Sequence, residues 1–315
     1  MRAAVIHKFG GPEELMLEDV PVPGIDDHEV LIKVEYAGIG QWDIFEREGG
    51  YDKMLGLGST FPYILGSEGS GVIYAKGKHV DGFEIGDKVY AAGFLNPKGG
   101  FYAEFVAVDA NYVAKIPETI TMREAGVIAG VGLTALRGIE DVLRLNKGES
   151  IVIFGASGGI GHVAAQLARQ MGARVFAVAS GEDGVAVLRK LGVTAAVDGR
   201  KADVLPAARE FAAAGFDAAL LTAGGELANS LVQCVRPGGR AAYPNGIYPV
   251  PDARPDIRLI GYNGEPEPGI IKRLNDWIRT GHIKIHIDEV FSLEDAYKAH
   301  LALNHHYVGK LCFKI

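Results

Sequence analysis

Residues 151–161 have the sequence IVIFGASGGIG, an apolar run that passes directly into a cluster of glycines. An amphipathic stretch, HVAAQLARQM, follows at residues 162–171, and a second apolar run, ARVFAVAS, occupies residues 173–180. This order of strand, glycine-rich turn, helix and strand is typical of dinucleotide binding, because glycines let the backbone approach a pyrophosphate and the helix N-terminus offers free N–H groups. The alternative is a glycine-rich turn without a ligand. The predicted cofactor contacts in this turn are Gly155, Ser157, Gly158, Gly159, Ile160 and Gly161.

The chain around this turn alternates between apolar runs and amphipathic helical segments. Further apolar runs lie at residues 194–199, 217–224 and 239–246, and residues 121–145 have the pattern of a single helix. Near-continuous apolar strands between amphipathic helices predict a parallel sheet covered on both faces, which is a doubly wound α/β domain.

The two ends of the chain have a different character. Up to about residue 117, short alternating runs are broken by Gly, Pro and Asp, which predicts a β-rich domain of sandwich or barrel type. The C-terminal segment ends in the strand-like run VGKLCFKI and is expected to return to that domain. The predicted organisation is a β-rich domain of residues 1–118 and 264–315 and an α/β domain of residues 119–263.

Composition limits the possible functions. The 315 residues are 48% hydrophobic and 23% charged, with a net charge of −7 and a pI near 5.7. This balance argues against a nucleic-acid partner, which needs a basic face. Cys234 and Cys312 are too few for a disulfide framework or a four-thiolate zinc site. The sequence has no signal-peptide pattern and no apolar run near the ~18 residues of a membrane span, so we expect a cytoplasmic protein without a membrane partner.

The end of the second apolar run bears on the choice between NAD and NADP. An NAD site usually has an acidic residue there, whereas this chain has Ser180 and Gly181. Ser180 can donate to a 2′-phosphate, and Arg200, one strand later, can pair with it. We therefore expect NADPH, and NADH stays open because Glu182 and Asp183 are near enough to oppose the phosphate.

Two further strand ends are expected to contact the cofactor. Ligands of open parallel sheets bind at the carboxyl ends of the strands. Ala223 and Gly224 end one predicted strand, and Asn245 and Gly246 end the next. Asn245 offers the best polar contact of the four.

Several blocks in fixed order resemble the medium-chain dehydrogenase/reductase superfamily, and within it the zinc-free quinone oxidoreductases related to zeta-crystallin. The resemblance covers essentially the whole chain. It implies a GroES-like β-rich catalytic domain formed from both chain ends, with a Rossmann domain between them. It also implies that Thr134 lies close to the nicotinamide; the alternative is a helix hydroxyl bonded to its own backbone. The blocks are EVLIKVEYAGI, LGSEGSGVI, FEIGDKVYA, GGFYAEFV, AGVIAGVGLTA, GASGGIG and RPGGRAA.

The resemblance is also informative about zinc. In the zinc alcohol dehydrogenases of the superfamily, a Cys ligand comes three residues before the position of Asp43, and a His ligand precedes the position of Glu68. Gly40 and Ser67 stand there in this chain, and neither binds zinc as a thiolate or imidazole does. Trp42 replaces the hydroxyl residue that begins their proton relay. We therefore expect no zinc and no other metal.

The chain also departs from the quinone reductases. Gly40 stands where they usually carry Asn, Gly184 where a Lys often follows the second strand, and Gly199 where a Tyr helps to hold the 2′-phosphate. These departures bear on the substrate and on the preference for NADPH.

Without a metal, a hydrogen-bond donor must stabilise the enolate that hydride addition to an enone or quinone creates. Tyr51 lies eight residues after Asp43, where the related reductases place a pocket tyrosine, and is the first candidate; aromatic packing is the alternative. Gln41 and Trp42 are expected near the nicotinamide end, Trp42 as a pocket wall. These three residues are the predicted catalytic set.

Three of the five histidines near the C-terminus resemble a metal cluster at first sight. His300, His305 and His306 are predicted on a helix that ends at the surface, and His282 and His286 on a solvated strand. We expect them to bind no metal, because no carboxylate completes a geometry.

The function that these observations favour is zinc-independent, NAD(P)H-dependent reduction of a small quinone or α,β-unsaturated carbonyl compound. One alternative is an enoyl-thioester reductase, and another is a structural or RNA-binding zeta-crystallin-like protein without activity. The strand-like run 257–262 resembles an edge strand that pairs across a two-fold axis, so a homodimer is expected.

Overall fold

The computed structural model describes residues 1–201, 203–281 and 283–315, so that His282 lies outside the described residues. The chain divides into two compact units. The first unit contains Met1–Gly130 and Glu265–Ile315, and the second contains Val131–Gly264. Residues 119–130 therefore fall in the first unit, twelve residues beyond the boundary predicted from the sequence. The physical reason is local bonding, since Ser70 Oγ donates to the Met122 carbonyl (2.6 Å) and the Gly130 amide donates to Glu68 Oε2 (2.7 Å).

The strands and helices are numbered in chain order. The strands are β1 (Arg2–Ile6), β2 (Met16–Asp19), β3 (Glu29–Ile39), β4 (Tyr63–Ile64), β5 (Glu68–Lys76), β6 (Lys88–Ala92), β7 (Phe105–Asp109), β8 (Val113–Lys115), β9 (Ser150–Phe154), β10 (Arg174–Ala179), β11 (Ala196–Asp198), β12 (Phe216–Leu221), β13 (Val235–Pro244), β14 (Arg258–Tyr262), β15 (Ile287–Ser292) and β16 (Lys310–Lys314). The helices are α1 (Gln41–Arg47), α2 (Gly50–Leu55), α3 (Met122–Ala125), α4 (Ala129–Leu136), α5 (Gly159–Gln170), α6 (Gly181–Lys190), α7 (Val204–Phe211), α8 (Glu226–Val232), α9 (Ile270–Gly281) and α10 (Ala296–Ala302). A π-helical stretch, Arg137–Val142, continues α4, and 3₁₀ turns occur at Pro12–Glu14, Ala110–Tyr112 and Leu293–Asp295.

The first unit is built on a seven-stranded sheet. Six strands follow the order β15-β16-β3-β5-β6-β8, β7 also pairs with β3, and β2-β1-β4 form a smaller sheet. The C-terminal strand β16 runs antiparallel to β3, with Leu311 opposite Ile39. The expected return of the tail to the β-rich part is therefore confirmed. Apolar residues of β3, such as Val30 and Ile32, form the core of this unit.

The second unit is a six-stranded sheet with the order β11-β10-β9-β12-β13-β14. All five pairings between neighbouring strands are parallel. Numbered from β9, this is the 3-2-1-4-5-6 order of a Rossmann domain, in which the chain reverses direction across the sheet at its first strand. The central strand β9 is buried along most of its length, as its continuous apolar sequence predicts. The doubly wound α/β prediction is confirmed.

Two predicted elements differ from the structure. Residues 121–145 do not form one helix, because α3 ends at Ala125 and α4 begins only at Ala129. Thr121 caps α3, with its Oγ1 accepting from the Glu124 amide at 3.2 Å. The strand predicted at residues 239–246 begins earlier, at Val235. Among the helices described, none is both long and apolar enough to cross a membrane.

Candidate functional site

The glycine-rich turn joins the central strand β9 to helix α5. Gly155 has a φ of +75°, a conformation that favours glycine, and it accepts a hydrogen bond from the Gly158 amide at 3.0 Å. Helix α5 begins at Gly159 and runs for twelve residues, so its first amides have no acceptor within the helix. These amides and the helix dipole form an anion site next to the turn.

The close approach of helix to turn requires a glycine at position 161. A Cβ atom at Gly161 would lie 2.2 Å from the Gly155 carbonyl oxygen, and no rearrangement of a flexible side chain would relieve that clash. A Cβ atom at Gly158 would meet nothing nearer than that carbonyl at 3.4 Å. The turn therefore packs tightly on its inner side and leaves room on its outer side, as a pyrophosphate cradle requires. Ser157 is buried, whereas Gly158, Gly159 and Ile160 are partly exposed.

The residues predicted to recognise a 2′-phosphate are brought together at the end of β10. Arg200 Nη2 donates to Ser180 Oγ at 3.0 Å, and the Ser180 amide donates to Ser157 Oγ at 3.0 Å. Asp198 Oδ1 accepts from the amides of Gly181 (2.9 Å) and Arg200 (3.0 Å), which fixes both loops. Those two hydrogen bonds, led by the one from Arg200, lower the pKa of Asp198. The sequence analysis missed Asp198, although its place at the end of β11 marks it as a ligand-edge residue.

One acidic residue of α6, Glu182, has a cationic partner of its own. Glu182 is 79% exposed and forms an ion pair with Lys201 at 2.8 Å. Gly184 stands where a Lys is common among related reductases, and a Cβ atom there would lie 2.7 Å from Ser157 Cβ. The packing of Ser157 on α6 therefore explains the glycine.

The other predicted cofactor residues follow the same carboxyl edge of the sheet. Ala223 and Gly224 come after β12, and a Cβ atom at Gly224 would lie 2.4 Å from the Pro249 carbonyl oxygen. Asn245 and Gly246 come after β13 and are exposed, with Asn245 Nδ2 donating to Asn263 Oδ1 at 2.7 Å. This bond leaves the Asn245 side-chain oxygen with acceptor capacity for a ligand.

Thr134 is held against the end of the last strand of this sheet. The hydroxyl of Tyr262, the final residue of β14, donates to the Thr134 carbonyl at 3.1 Å. A Cβ atom at Gly264 would lie 1.9 Å from Thr134 Oγ1. Position 264 therefore has no room for a side chain beside the Thr134 hydroxyl.

The first unit carries the predicted substrate residues, and Trp42 has an unusual setting there. A Cβ atom at Gly40 would lie 2.5 Å from Trp42 Cζ2, so the indole fills the space of a side chain at that position. The Lys310 ammonium lies 4.3 Å from the centroid of the Trp42 ring and 2.8 Å from Glu68 Oε1. Lys310 and Glu68 are both buried. The sequence analysis missed Lys310, since nothing in the tail marks a lysine as internal.

Beneath Trp42, helix α1 turns a charged face into the interior. Asp43 Oδ2 accepts from the Gly40 amide (2.7 Å) and from the Tyr102 hydroxyl (2.9 Å), and Glu46 Oε1 accepts from the Tyr63 hydroxyl (2.6 Å). Burial raises the pKa of Asp43 to about 7, although the Gly40 hydrogen bond, the Lys310 charge and the Tyr102 hydroxyl lower it. Burial and the Asp43 charge raise the pKa of Glu46 to about 8.

His305 and His306 come after the end of α10 and are exposed, whereas His300 is on this helix and buried. It lies on α10, and Arg47 Nη1 donates to its Nδ1 at 2.8 Å. Because a guanidinium only donates, the ring is neutral with its proton on Nε2. Burial and the Arg47 charge lower the pKa of His300 to about 3. In the part of the chain that the structure describes, no group of three His, Cys, Asp or Glu side chains is arranged to hold a metal.

Tyr51 and Gln41 lie on the same region of the first unit. The Tyr51 ring makes edge contacts with Phe45 (4.7 Å between centroids) and Phe94 (5.0 Å). Burial, with smaller contributions from the Glu46 and Asp43 charges, raises its pKa to about 12, so the phenol keeps its proton at neutral pH. Gln41 Nε2 donates to the Leu303 carbonyl at 2.6 Å, which uses one of its two N–H groups and leaves the other N–H and the side-chain oxygen for a ligand.

Comparison with known families agrees with this geometry. Residues 26–118 match the alcohol dehydrogenase GroES-like domain, and residues 159–246 match the zinc-binding dehydrogenase domain. One match lies within each compact unit, in the chain order of the sheets described above. The chain belongs to the medium-chain dehydrogenase/reductase superfamily.

Relatives within the superfamily include quinone oxidoreductases. The protein of this name from Rattus norvegicus is 38% identical over 185 residues, which is 58% of this chain and 54% of the relative. The Homo sapiens protein is 35% identical over 193 residues, or 61% of this chain and 56% of the relative. The match thus spans little more than half the length of these curated relatives. A solved quinone oxidoreductase from Coxiella burnetii is 27% identical, with a TM-score of 0.84 over 100% of this chain and 99% of that one.

The superfamily also includes alcohol dehydrogenases of the same architecture. A solved NAD-dependent alcohol dehydrogenase has a TM-score of 0.88 and 25% identity, covering 100% of both chains. Gly40 and Ser67 remain the residues at the two positions where we expected zinc ligands in such enzymes, and Ser67 is buried.

Proposed function

We propose that this chain is an oxidoreductase that transfers hydride from a nicotinamide cofactor to a small quinone or α,β-unsaturated carbonyl compound without using zinc. The observation that carries the proposal is the setting of Trp42 in the first unit. Its indole stands where a side chain at position 40 would project, with the Lys310 ammonium near the ring, while the second unit keeps a complete dinucleotide turn. The names of the quinone oxidoreductase relatives support the same reaction class.

NADPH is the cofactor we propose, with NADH as the weaker substrate. The support is the hydrogen bond that joins Arg200 to Ser180 at the end of β10, since a guanidinium and a hydroxyl suit a phosphate better than a ribose diol. The partial positive charge at the start of α5 would hold the pyrophosphate. Asn245 and Thr134 would hold the nicotinamide half.

When bound, the nicotinamide supplies the hydride, and the side chains of the first unit provide for the negative charge that develops on the substrate oxygen. Tyr51 is the proposed donor to that oxygen. Its raised pKa keeps the phenol protonated, and its contacts with Phe45 and Phe94 limit the directions of the ring. Because the enolate charge is delocalised, one or two donors suffice. Trp42 is the proposed apolar wall against which the conjugated substrate lies.

The experiment that tests this proposal is consumption of NADPH and, separately, NADH by chelator-treated protein. The panel contains naphthoquinone, methyl vinyl ketone, an enoyl thioester and a primary alcohol, the last assayed in the oxidative direction. We expect turnover of the quinone or the enone with NADPH and no response to added zinc. Preference for the thioester would favour the enoyl-reductase alternative. Absence of both turnover and cofactor binding would favour the structural or RNA-binding one.

We further propose that the protein is a cytoplasmic homodimer with a small-molecule substrate and no nucleic-acid or membrane partner. Both thiols are free, with Cys312 buried, which suits a reducing compartment. Strand β14 stands at the edge of the six-stranded sheet, and an open edge with apolar residues such as Ile260 needs a cover. Light scattering coupled to size exclusion tests the dimer, and a monomeric mass would contradict it.

A further inference from the structure

Lys310 is a buried cation with two close partners. Only 3% of its side chain is exposed, its ammonium lies 2.8 Å from Glu68 Oε1, and it sits 4.3 Å from the centroid of the Trp42 ring. Glu68 itself is fully buried, and its other oxygen accepts from the Gly130 amide at 2.7 Å. Taking both charges out of water is costly, so a buried pair is weak evidence for stability and asks for another role.

The Trp42 ring is confined by backbone as well as by this cation. A Cβ atom at Gly40 would lie 2.5 Å from the ring, and one at Gly130 would lie 3.4 Å from it. The ring therefore lies against two residues without side chains and close to a charged group. A cation near the face of an indole is attracted to it, most strongly where water is excluded.

Lys310 is too deeply buried to reach a substrate, whereas Trp42 is only partly buried. An effect of Lys310 on a ligand is therefore indirect, and among its two close partners only the indole is partly exposed. An aromatic wall that already keeps one orientation offers a ligand a flat surface. Little side-chain entropy of the wall is then lost when the ligand binds.

We propose that Lys310 is a positioning residue that fixes the Trp42 indole in the space of the missing side chain at position 40, and that the fixed indole selects flat conjugated rings over small open-chain enones. The specificity half of this inference rests on the proposed reductase function. The positioning half does not, because it concerns the state of the Trp42 ring in the free protein.

The first test is spectroscopic. Trp42 and Trp277 are the two tryptophans of the chain, so a Trp277→Phe parent reports on Trp42 alone. We expect Lys310→Met in that parent to shift the emission to longer wavelength and to increase quenching by acrylamide, with Lys310→Arg close to the parent. Lys314→Met is the matched control, because Lys314 is an exposed lysine on the same strand. Unchanged emission and quenching in folded Lys310→Met would overturn the positioning role.

The second test is kinetic. We expect Lys310→Met to raise the KM for naphthoquinone about tenfold, with kcat within about twofold and little change for methyl vinyl ketone. The reason is that a freed indole must be ordered when the flat ligand binds, a cost of about tenfold in affinity. If Lys310 acts on stability alone, the ratio of the naphthoquinone KM to the methyl vinyl ketone KM should be the same in Lys310→Met as in the wild type. If wild-type protein turns over neither compound, the proposed function fails, and the fluorescence result still decides the positioning role.

A third test keeps Lys310 in place. It is needed because Lys310→Met leaves the Glu68 carboxylate buried without its partner, and a protein with that substitution can fail to fold. Fluorinated tryptophan at position 42, in the Trp277→Phe parent, keeps the shape of the ring and removes negative charge from its face. We expect acrylamide quenching and the naphthoquinone KM to rise with each added fluorine. If both stay constant across the series, the cation does not hold the ring and the proposal is wrong.

Discussion

The Trp42 indole and Gly40 share one space, since a Cβ atom at position 40 would lie 2.5 Å from the ring. The two residues are therefore coupled, because a larger residue at position 40 requires the ring to leave. Introducing the Cys that we expected at this position in the zinc enzymes would consequently change the packing as well as the chemistry.

Restoring zinc ligands alone should fail for this reason. We expect the double variant Gly40→Cys/Ser67→His to bind no zinc, because the ring blocks the thiol. Adding Trp42→Ser and Lys310→Met removes the ring and frees the Glu68 carboxylate as a third ligand, and this protein should bind roughly one equivalent. Metal content after dialysis, measured by mass spectrometry, checks both. Stoichiometric zinc in the double variant would show that Trp42 is no barrier.

Arg200 should set the preference for NADPH. Removing a charge-assisted hydrogen bond to a phosphate costs roughly 1.5–3 kcal/mol, so we expect Arg200→Ala to raise the KM for NADPH by about 10- to 100-fold and to leave that for NADH nearly unchanged. Ser180→Asp should reverse the preference, because it places a carboxylate at the strand end. Arg209→Ala, an exposed arginine on α7, is the control. Equal losses with both cofactors would mean that Arg200 does not contact the 2′-phosphate.

Tyr51→Phe should lower kcat by about 10- to 100-fold with a small change in KM, because the variant keeps the ring and loses the proton donor. Since the pKa of Tyr51 is raised to about 12, wild-type kcat should not fall between about pH 6 and about pH 9 through loss of that proton. Tyr74→Phe, a mostly exposed tyrosine on β5, serves as the control. A Tyr51→Phe enzyme with normal kcat would identify Tyr51 as a packing residue.

Glu46 should make stability fall as pH rises. Its pKa is raised from 4.5 to about 8 in the folded protein, so between these values the folded state holds a proton that the unfolded state has released. The contribution of Glu46 to the free energy of unfolding should therefore be largest below about pH 4.5. It should decrease by up to about 1.4 kcal/mol per pH unit as the pH rises towards 8.

Glu46→Gln removes that titration and keeps an acceptor for the Tyr63 hydroxyl. We expect its unfolding free energy, from urea denaturation, to depend less on pH than that of the wild type over this window. Glu48→Gln, an exposed residue just after α1, should behave as the wild type. Identical slopes for Glu46→Gln and wild type would mean that Glu46 is ionised in the folded protein throughout.

The dinucleotide turn was predictable because its chemistry is local. Positive φ at Gly155 and the absence of room at Gly161 are requirements of the backbone, and they show in the sequence as glycines. The direct hydrogen bond between Ser180 and Arg200 was not predicted, but their common position at the ends of successive predicted strands was. Parallel strands bring their carboxyl ends to one edge of the sheet.

The interior of the first unit was not predictable in this way. Lys310 and Trp42 are 268 positions apart in the sequence, and only the pairing of β16 with β3 brings them together. The burial of His300 was not predictable either, because it depends on a partner that is remote in the sequence. Its partner Arg47 lies on α1, far away in the chain.

The contact between Gly161 and the Gly155 carbonyl has an evolutionary consequence. No side chain fits at position 161, so the packing of the turn on its own helix is closed to substitution there. Ser180 and Arg200 are exposed, and their replacement disturbs no core. Variation among proteins of this fold should therefore be tolerated at positions 180 and 200 and excluded at position 161, whatever ligand the turn holds.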